Sequence, residues 1–377
     1  MVKSRFTKMK ITGLNCLVPD YPHCIDEDIG FFGGDPQKLA KAKKLIGFGH
    51  RYNAPPGCTP TDLCRAAIDR LAADVSLDLG TVDALICVVQ APDYPQPGSS
   101  FILHKKCGFP TTCASLDINQ GCPGYVYGLW LAGALLESGA CRKIVLATGN
   151  FNGPSQTPRS HLLFGDAASA TLLEYDEGAT ASFFNLGADG SGYEAIIIPA
   201  GGARLPLDHQ ILDLVITERT GGQQQLTDKY VDGLEVFNFA IREAAPNMTE
   251  LLEYAQCPAD RVDFAAIHQA NKQIVDLVAA KAGLREDQYS TRTFTEYGNL
   301  SSVSVPAVIS HQLAEKIKNG PEKVLMSGYG IGTAWASCLM ELAGVDCPGV
   351  VVDKFDCGPT PEEEKTYWVN KISGRLD

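Results

Sequence analysis

No stretch of this 377-residue chain approaches the roughly 18 to 20 consecutive apolar residues that a membrane-spanning helix needs. The opening residues, MVKSRFTKMKITG, lack the apolar core of a secretory signal. Both absences lead us to expect a cytoplasmic protein. Basic residues are in deficit as well: 32 Lys and Arg face 44 Asp and Glu, a net charge of −12. Such a balance opposes nonspecific nucleic-acid binding, which relies on Lys and Arg neutralising phosphate. Any anionic ligand must therefore meet a local patch. Thirteen cysteines are present, yet no C-x-x-C pair occurs and the chain is long, so reduced and mostly buried thiols are expected rather than a disulfide framework. His50, Cys58 and Cys64 do not fall into metal-ligand spacing, and no metal site is expected. What is left is an ordinary globular composition, 45% hydrophobic and 20% charged, long enough for two units or one large α/β body.

An internal repeat organises the chain. Val82-Asp-Ala-Leu lies 180 residues before Val262-Asp-Phe-Ala, and Lys143-Ile-Val-Leu lies 180 before Lys323-Val-Leu-Met. Asn119 and Asn299 keep the same register. Farther on, Ala168 to Glu174 resembles the segment ending at Glu341 at an offset of 167 (341 minus 174), so the first half carries about 13 extra residues around Asn150 to Leu163. Each half reads as β-α-β-β. In the first, Ala84 to Val89 is a short apolar strand, Pro123 to Ser138 a helix, and Lys143 to Thr148 and Ala168 to Leu173 strands. The helix is apolar nearly all round, which places it between layers. Near-continuous apolar strands imply sheets covered on both faces. Two such halves should share a central helical layer, related by a pseudo-dyad that brings equivalent turns together. Residues 1–178 form the first half and 179–345 the second; in residues 346–377 the repeat has run out, and that tail reads as an appendage.

Three residues fall where this arrangement converges. Cys122 lies in Asp117-Ile-Asn-Gln-Gly-Cys-Pro-Gly, just before the first-half helix, where unsatisfied N–H groups and the positive end of the helix dipole should lower its pKa and make it a nucleophile. Its repeat equivalent is Ser302. His268 closes the apolar run Val262 to Ile267 in a position whose counterpart is Val88, and a helix is expected from Lys272 to Ala282. Asn299 occupies the turn equivalent to the one holding Cys122, where capping the following helix would be its plainest role. Gly328-x-Gly-x-Gly lacks the spacing of a phosphate-binding loop.

These residues carry a resemblance. The chain is similar, from about Ile11 to Leu342, to the β-ketoacyl-acyl-carrier-protein synthase III family of the thiolase superfamily. The resemblance rests on the Gly-Cys-Pro-Gly elbow, Leu163-Phe-Gly-Asp-Ala-Ala-Ser, Tyr230-Val-Asp-Gly-Leu-Glu-Val-Phe, His268-Gln-Ala-Asn, Tyr297-Gly-Asn-Leu-Ser-Ser and Gly328-Tyr-Gly-Ile-Gly-Thr-Ala-Trp. It implies a five-layered αβαβα fold of two duplicated halves and a homodimer. It also implies a condensing enzyme, without cofactor, that uses acyl-CoA and malonyl thioester, the latter on acyl-carrier protein. Cys122 would take the acyl group with an oxyanion hole from its own N–H and the Gly330-Ile331 turn; His268 and Asn299 would hold the enolate formed when the malonyl group loses CO2.

Departures from the family pattern concern binding. The family's Trp and Arg, four residues apart at the CoA adenine, are replaced by Lys41 and Leu45, on a helix from Pro36 to Lys44 whose lysines, Lys44 among them, could hold phosphates or an acidic carrier by charge. Gln273 replaces a common Arg, with Lys272 adjacent. Arg51 and Arg159 are further candidates for donor binding. Gln96 aligns with an apolar residue that lines the neighbouring subunit's acyl pocket, which favours a polar or short acyl group. Other functions compete. An acyltransferase passing its acyl group to a hydroxyl or amine would not need the His268–Asn299 pair. A silent heterodimer partner would lack Cys122. A hydroxymethylglutaryl-CoA synthase-like enzyme would need a glutamate upstream of the cysteine, and no Glu occurs from Ala84 to Pro123.

Overall fold

The computed structural model describes residues 1–152, 162–217 and 222–375. Strand β1 spans Val2–Phe6, β2 Met9–Pro19, β3 Ala84–Val89, β4 Ala114–Ile118, β5 Lys143–Asn150 and β6 Ala167–Tyr175. Then come β7 Ser182–Ala188, β8 Phe264–Ile267, β9 Glu322–Gly330, β10 Ala334–Leu342 and β11 Val350–Asp353. They form a six-stranded sheet in the order β11-β2-β6-β5-β3-β4 and a five-stranded sheet in the order β1-β7-β10-β9-β8. The parallel pairs β3/β5 and β8/β9 occupy equivalent places, each followed by an antiparallel neighbour.

Helix α4 (Gly124–Glu137) and its repeat α7 (Ser304–Asn319) lie between the sheets, offset by the same 180 residues as the sequence repeat. Their apolar sides join residues of both sheets in one core: Leu129 and Leu136 from α4, Val308 and Leu313 from α7, Leu146 and Met326 from the strands. Outside the first sheet lie α2 (Pro60–Asp74) and α3 (Ser99–Cys107), and outside the second α5 (Ala245–Tyr254) and α6 (Lys272–Lys281). The result is the five-layered αβαβα stack of the thiolase fold. Between β7 and β8 the chain first forms short part-buried ribbons, such as Ile196–Ile197 paired with Tyr230–Val231.

The tail departs from the sequence reading. Val350–Asp353 pairs parallel with Cys16 to Pro19 as the edge strand β11, so the segment completes the first sheet instead of hanging from it. Arg70 binds Asp353, and Tyr94 donates to Glu364 of helix α8 (Pro361–Ile372). Cys357 forms a disulfide with Cys58, their Cα atoms 4.7 Å apart. The expectation of reduced thiols therefore fails for these two, which lie 299 residues apart in a pairing no local spacing could announce. At the other end β1 joins the second sheet through β7, so a segment assigned to the first half belongs structurally to the second.

Phe184 of β7 is fully enclosed and packs on Phe6 of β1 with ring centroids 5.4 Å apart. Phe184→Ala is expected to lower the unfolding free energy by about 3 to 5 kcal/mol. Equilibrium denaturation monitored by circular dichroism measures this.

Candidate active site

Cys122 stands on a tight elbow in which Gly124 N–H donates to the Gly121 carbonyl at 2.7 Å. Pro123 occupies the cap and Gly124 opens α4, one residue later than the sequence suggests. The end of β9 closes on this elbow from the other half. A Cβ on Gly328 would sit 2.7 Å from both the Cys122 carbonyl oxygen and the Pro123 Cα, and one on Gly330 would sit 2.8 Å from the Cys122 sulfur. The glycine spacing that fails as a phosphate loop is thus the clearance that lets two strand ends touch a thiol.

Sulfur is met there by two backbone N–H groups, its own and that of Ile331, and by the Ser301 hydroxyl, with Oγ 3.8 Å from Sγ. All three favour a thiolate, as does the nearby positive charge of Lys229. Burial outweighs them: Cys122 is only 8% exposed, and its pKa lies above the ordinary thiol value. The expectation of a lowered pKa is therefore corrected. Helix-start donors are present, but a desolvated sulfur stays a thiol.

His268 follows β8, its N–H donating to the Ser327 carbonyl at 2.8 Å. Its ring stands edge-on to Tyr329, centroids 5.4 Å apart. Enclosure pushes its pKa down to about 3 against a contact with the Ser301 backbone, so the imidazole is neutral across the physiological range. Nδ1 is buried with no hydrogen-bond partner among the described residues. Asn271, three residues on, caps α6 by accepting the Ile274 N–H at 2.9 Å, and this fixes the turn that carries the histidine.

Asn299 is held by its backbone, which donates to the Leu163 carbonyl at 2.8 Å and accepts from Gly165 N–H at 3.2 Å. Its Oδ1 accepts from Ser301 N–H at 2.8 Å, and that bond assigns the amide orientation and leaves Nδ2 as the free donor. Ser301 is the residue that links all three groups. It adopts a left-handed φ of 48°, strained for a side chain with a Cβ, and from that one position touches sulfur, amide and imidazole. Sequence reasoning passed over it in favour of Ser302, which instead bonds weakly to the Gly149 carbonyl at 3.5 Å.

A cavity of about 510 Å³ opens beside these residues, lined among others by Gln90, Asn150, Lys229, Ser301 and Ile331. It meets a second of about 800 Å³ at Phe151 and Asn152, under the disulfide-tied tail. Lys229, also missed from the sequence, places its ammonium 4.5 Å over the ring of Phe164.

The candidate donor-binding residues are scattered more widely. Lys41 and Lys44 are exposed on α1 (Pro36–Ile46), and Gly47 at its end would place a Cβ 2.9 Å from the Lys272 Cβ, so these lysines neighbour the start of α6. Lys272 is engaged by Asp276. Arg51 does not reach a ligand: it is 2% exposed, with its guanidinium on the Asp28 carboxylate. Gln96 is exposed on the loop before α3. Arg159 lies outside the described residues.

Two sheets enclosing paired helices, with a cysteine, a histidine and an asparagine meeting at the junction of the halves, define a thiolase-fold protein built as the condensing enzymes are. Residues 116–190 match the family model of 3-oxoacyl-(acyl-carrier-protein) synthase III, and residues 252–342 match that of its C-terminal part. A solved 3-oxoacyl-(acyl-carrier-protein) synthase of Burkholderia xenovorans is 32% identical, superposes with a TM-score of 0.85, and is matched over 93% of this chain and 99% of its own. A Campylobacter jejuni protein, provisionally named 3-oxoacyl-(acyl-carrier-protein) synthase 3, is 31% identical over 357 residues, 93% of this chain and 99% of its own. A β-ketoacyl-(acyl-carrier-protein) synthase III of Rhodopirellula baltica is 26% identical over 358 residues, covering 88% and 98%. The chain belongs to the 3-oxoacyl-(acyl-carrier-protein) synthase III family of condensing enzymes. Among the described residues no helix is long and apolar enough to cross a membrane.

Because burial keeps Cys122 protonated, its alkylation by iodoacetamide should keep accelerating as pH rises through 9 instead of levelling off near 7. Ser301→Ala removes a donor to the thiolate and should slow the reaction at pH 8 by about three- to tenfold. Peptide mass spectrometry across a pH series reads both.

Proposed function

We propose that the chain catalyses a decarboxylative Claisen condensation. The observation that carries this reading is the sulfur of Cys122 beside two backbone N–H donors, with a neutral imidazole and a free amide N–H linked to it through Ser301. Cys122 attacks the thioester carbonyl of an acyl-CoA; the sulfur–carbon bond forms and CoA leaves with the thiol proton. The developing oxyanion is met by the N–H groups of Cys122 and Ile331, in the cleft that Gly330 keeps open. A malonyl thioester, carried by acyl-carrier protein, then loses CO2, and His268 and Asn299 hold the resulting enolate oxygen. The enolate carbon attacks the acyl-Cys carbonyl, the Cys122 thiolate departs, and a 3-oxoacyl thioester is released.

A neutral histidine suits this task. Since its pKa lies near 3, it acts as a hydrogen-bond donor without carrying charge, and it donates from one nitrogen only. The sequence of steps uses no metal or prosthetic group. Donor binding is assigned to Lys41 and Lys44 with the neighbouring Lys272, and the product serves fatty-acid or polyketide assembly in the cytoplasm.

The working unit we propose is a homodimer. Edge strand β4 leaves one side unpaired, with Leu116 38% exposed, and Phe101 on the adjoining α3 is 58% exposed. A second copy covering this edge would bring Gln96 toward its partner's cavity.

Cys122→Ala should form no acyl-enzyme with any acyl-CoA by intact-mass analysis. His268→Ala and Asn299→Ala should still be acylated at Cys122, yet lose malonyl decarboxylation and condensation by about 10²- to 10³-fold in assays of released CO2 and of product. Equal loss of both half-reactions in Asn299→Ala would sink its assignment to the enolate. Charge reversal at Lys41 or Lys44 should raise the KM for the thioester donor several-fold with little change in kcat, and the difference should shrink as salt is added. Steady-state kinetics at two ionic strengths tests this.

A further inference from the structure

Lys229 is not needed for the chemistry above, and its position is costly. The side chain is part-buried in the wall of the cavity beside Cys122, and among the described residues its ammonium makes no ion pair or hydrogen bond. Its ammonium lies over the face of Phe164, 4.5 Å from the ring centroid. Burial presses its pKa down, while Cys122 and Asp166 pull it back up through space. Among the described residues neither Asp166 nor Asp228 pairs with it. Asp166 accepts from the N–H groups of Ala54 and Asn152, each at 2.8 Å, and Asp228 turns back to the Gln225 N–H at 2.7 Å. The same wall carries the amides of Gln90 and Asn152. A cavity for a plain alkyl chain has no use for these groups; one that holds an acid does.

We propose that Lys229 is a specificity residue that pairs with a carboxylate on the acyl group bound at Cys122, so that the preferred primer is a short dicarboxylic acid monothioester such as succinyl- or glutaryl-CoA. The inference rests on Cys122 being the acyl acceptor. In the transfer only the thioester changes: the sulfur–carbon bond to Cys122 forms, the bond to CoA breaks, CoA takes the thiol proton, and the distal carboxylate stays ionised against Lys229. The malonyl carboxylate is a poorer match. An ion pair there would stabilise the charge on the carboxylate that has to leave as CO2, and so would retard decarboxylation.

The test measures the rate of Cys122 acylation by intact mass with succinyl-CoA and with 4-methylpentanoyl-CoA, an apolar acyl group of matching size and branching. The wild-type protein should favour succinyl-CoA by about tenfold or more in kcat/KM. Lys229→Met should reverse the preference, and Lys229→Arg should retain it. Losing the Lys229 charge also weakens the Cys122 thiolate, so in Lys229→Met acylation by acetyl-CoA, which has no distal carboxylate, should fall by the same factor as acylation by 4-methylpentanoyl-CoA, and acylation by succinyl-CoA should fall about tenfold further. A wild-type preference for the apolar donor overturns the proposal. So does an equal loss with all three donors in Lys229→Met, which would make Lys229 a support for the thiolate or for CoA. An effect confined to the malonyl step would overturn it in favour of the extender carboxylate. Each of these outcomes leaves acetyl transfer to Cys122 standing, whereas absence of acyl-Cys122 with every donor would fell the condensing reading itself.

Discussion

The approach of the β9 strand end to the Cys122 elbow is the contact on which the remaining architecture depends. Backbone from the two halves meets there at distances that exclude a Cβ on Gly328 or Gly330. That closeness places the Ile331 N–H beside the sulfur, and it is possible because α4 and α7 fill the space between the sheets without forcing them apart. The repeat makes the meeting inevitable: once both halves fold alike around a pseudo-dyad, equivalent turns face each other. One presents Cys122 and the other Asn299, Ser301 and Ser302.

Burial sets the electrostatic state of nearly every ionisable group at this junction. It holds Cys122 as a thiol, His268 as a free base and Asp166 up at about 6, and it presses on the charge of Lys229. Each shift is toward the neutral form, as removal from water requires. The two reacting side chains at rest, the Cys122 thiol and the His268 imidazole, are therefore uncharged dipoles, and charge that develops during a reaction is met by N–H groups already in place.

Much of this was legible in the sequence, and the limits follow physical lines. The 180-residue offset located α4, α7 and the paired strands because each is a local apolar pattern repeated in register. The convergence of Cys122, His268 and Asn299 was legible because all three sit where a strand or turn gives way to a helix. Ser301 was not, since its importance comes from a left-handed backbone and from contacts to Cys122 and His268, both distant in sequence. Arg51 was a candidate for donor binding and proved buried on Asp28, for no residue type announces its own burial. The direction of the Cys122 pKa was missed for the same reason: helix-end donors can be read from a pattern, whereas desolvation belongs to the folded whole. Cys58–Cys357 and strand β11 join residues from opposite ends of the chain, and nothing local marks them.

The two chain ends are exchanged between the sheets, β1 lying in the second and β11 in the first. A chain growing on the ribosome therefore cannot finish either sheet in order. While the first half is complete in sequence, β2 still presents an open edge and β1 has no strand to pair with; its partner β7 follows, but that sheet gains its centre only when β9 and β10 emerge near residue 342. The first sheet waits longer still, until residue 353 is free of the exit tunnel. Maturation of the two sheets is thus concentrated in residues 322–353, and the nucleophile's half has to remain unfinished until that segment arrives to close it.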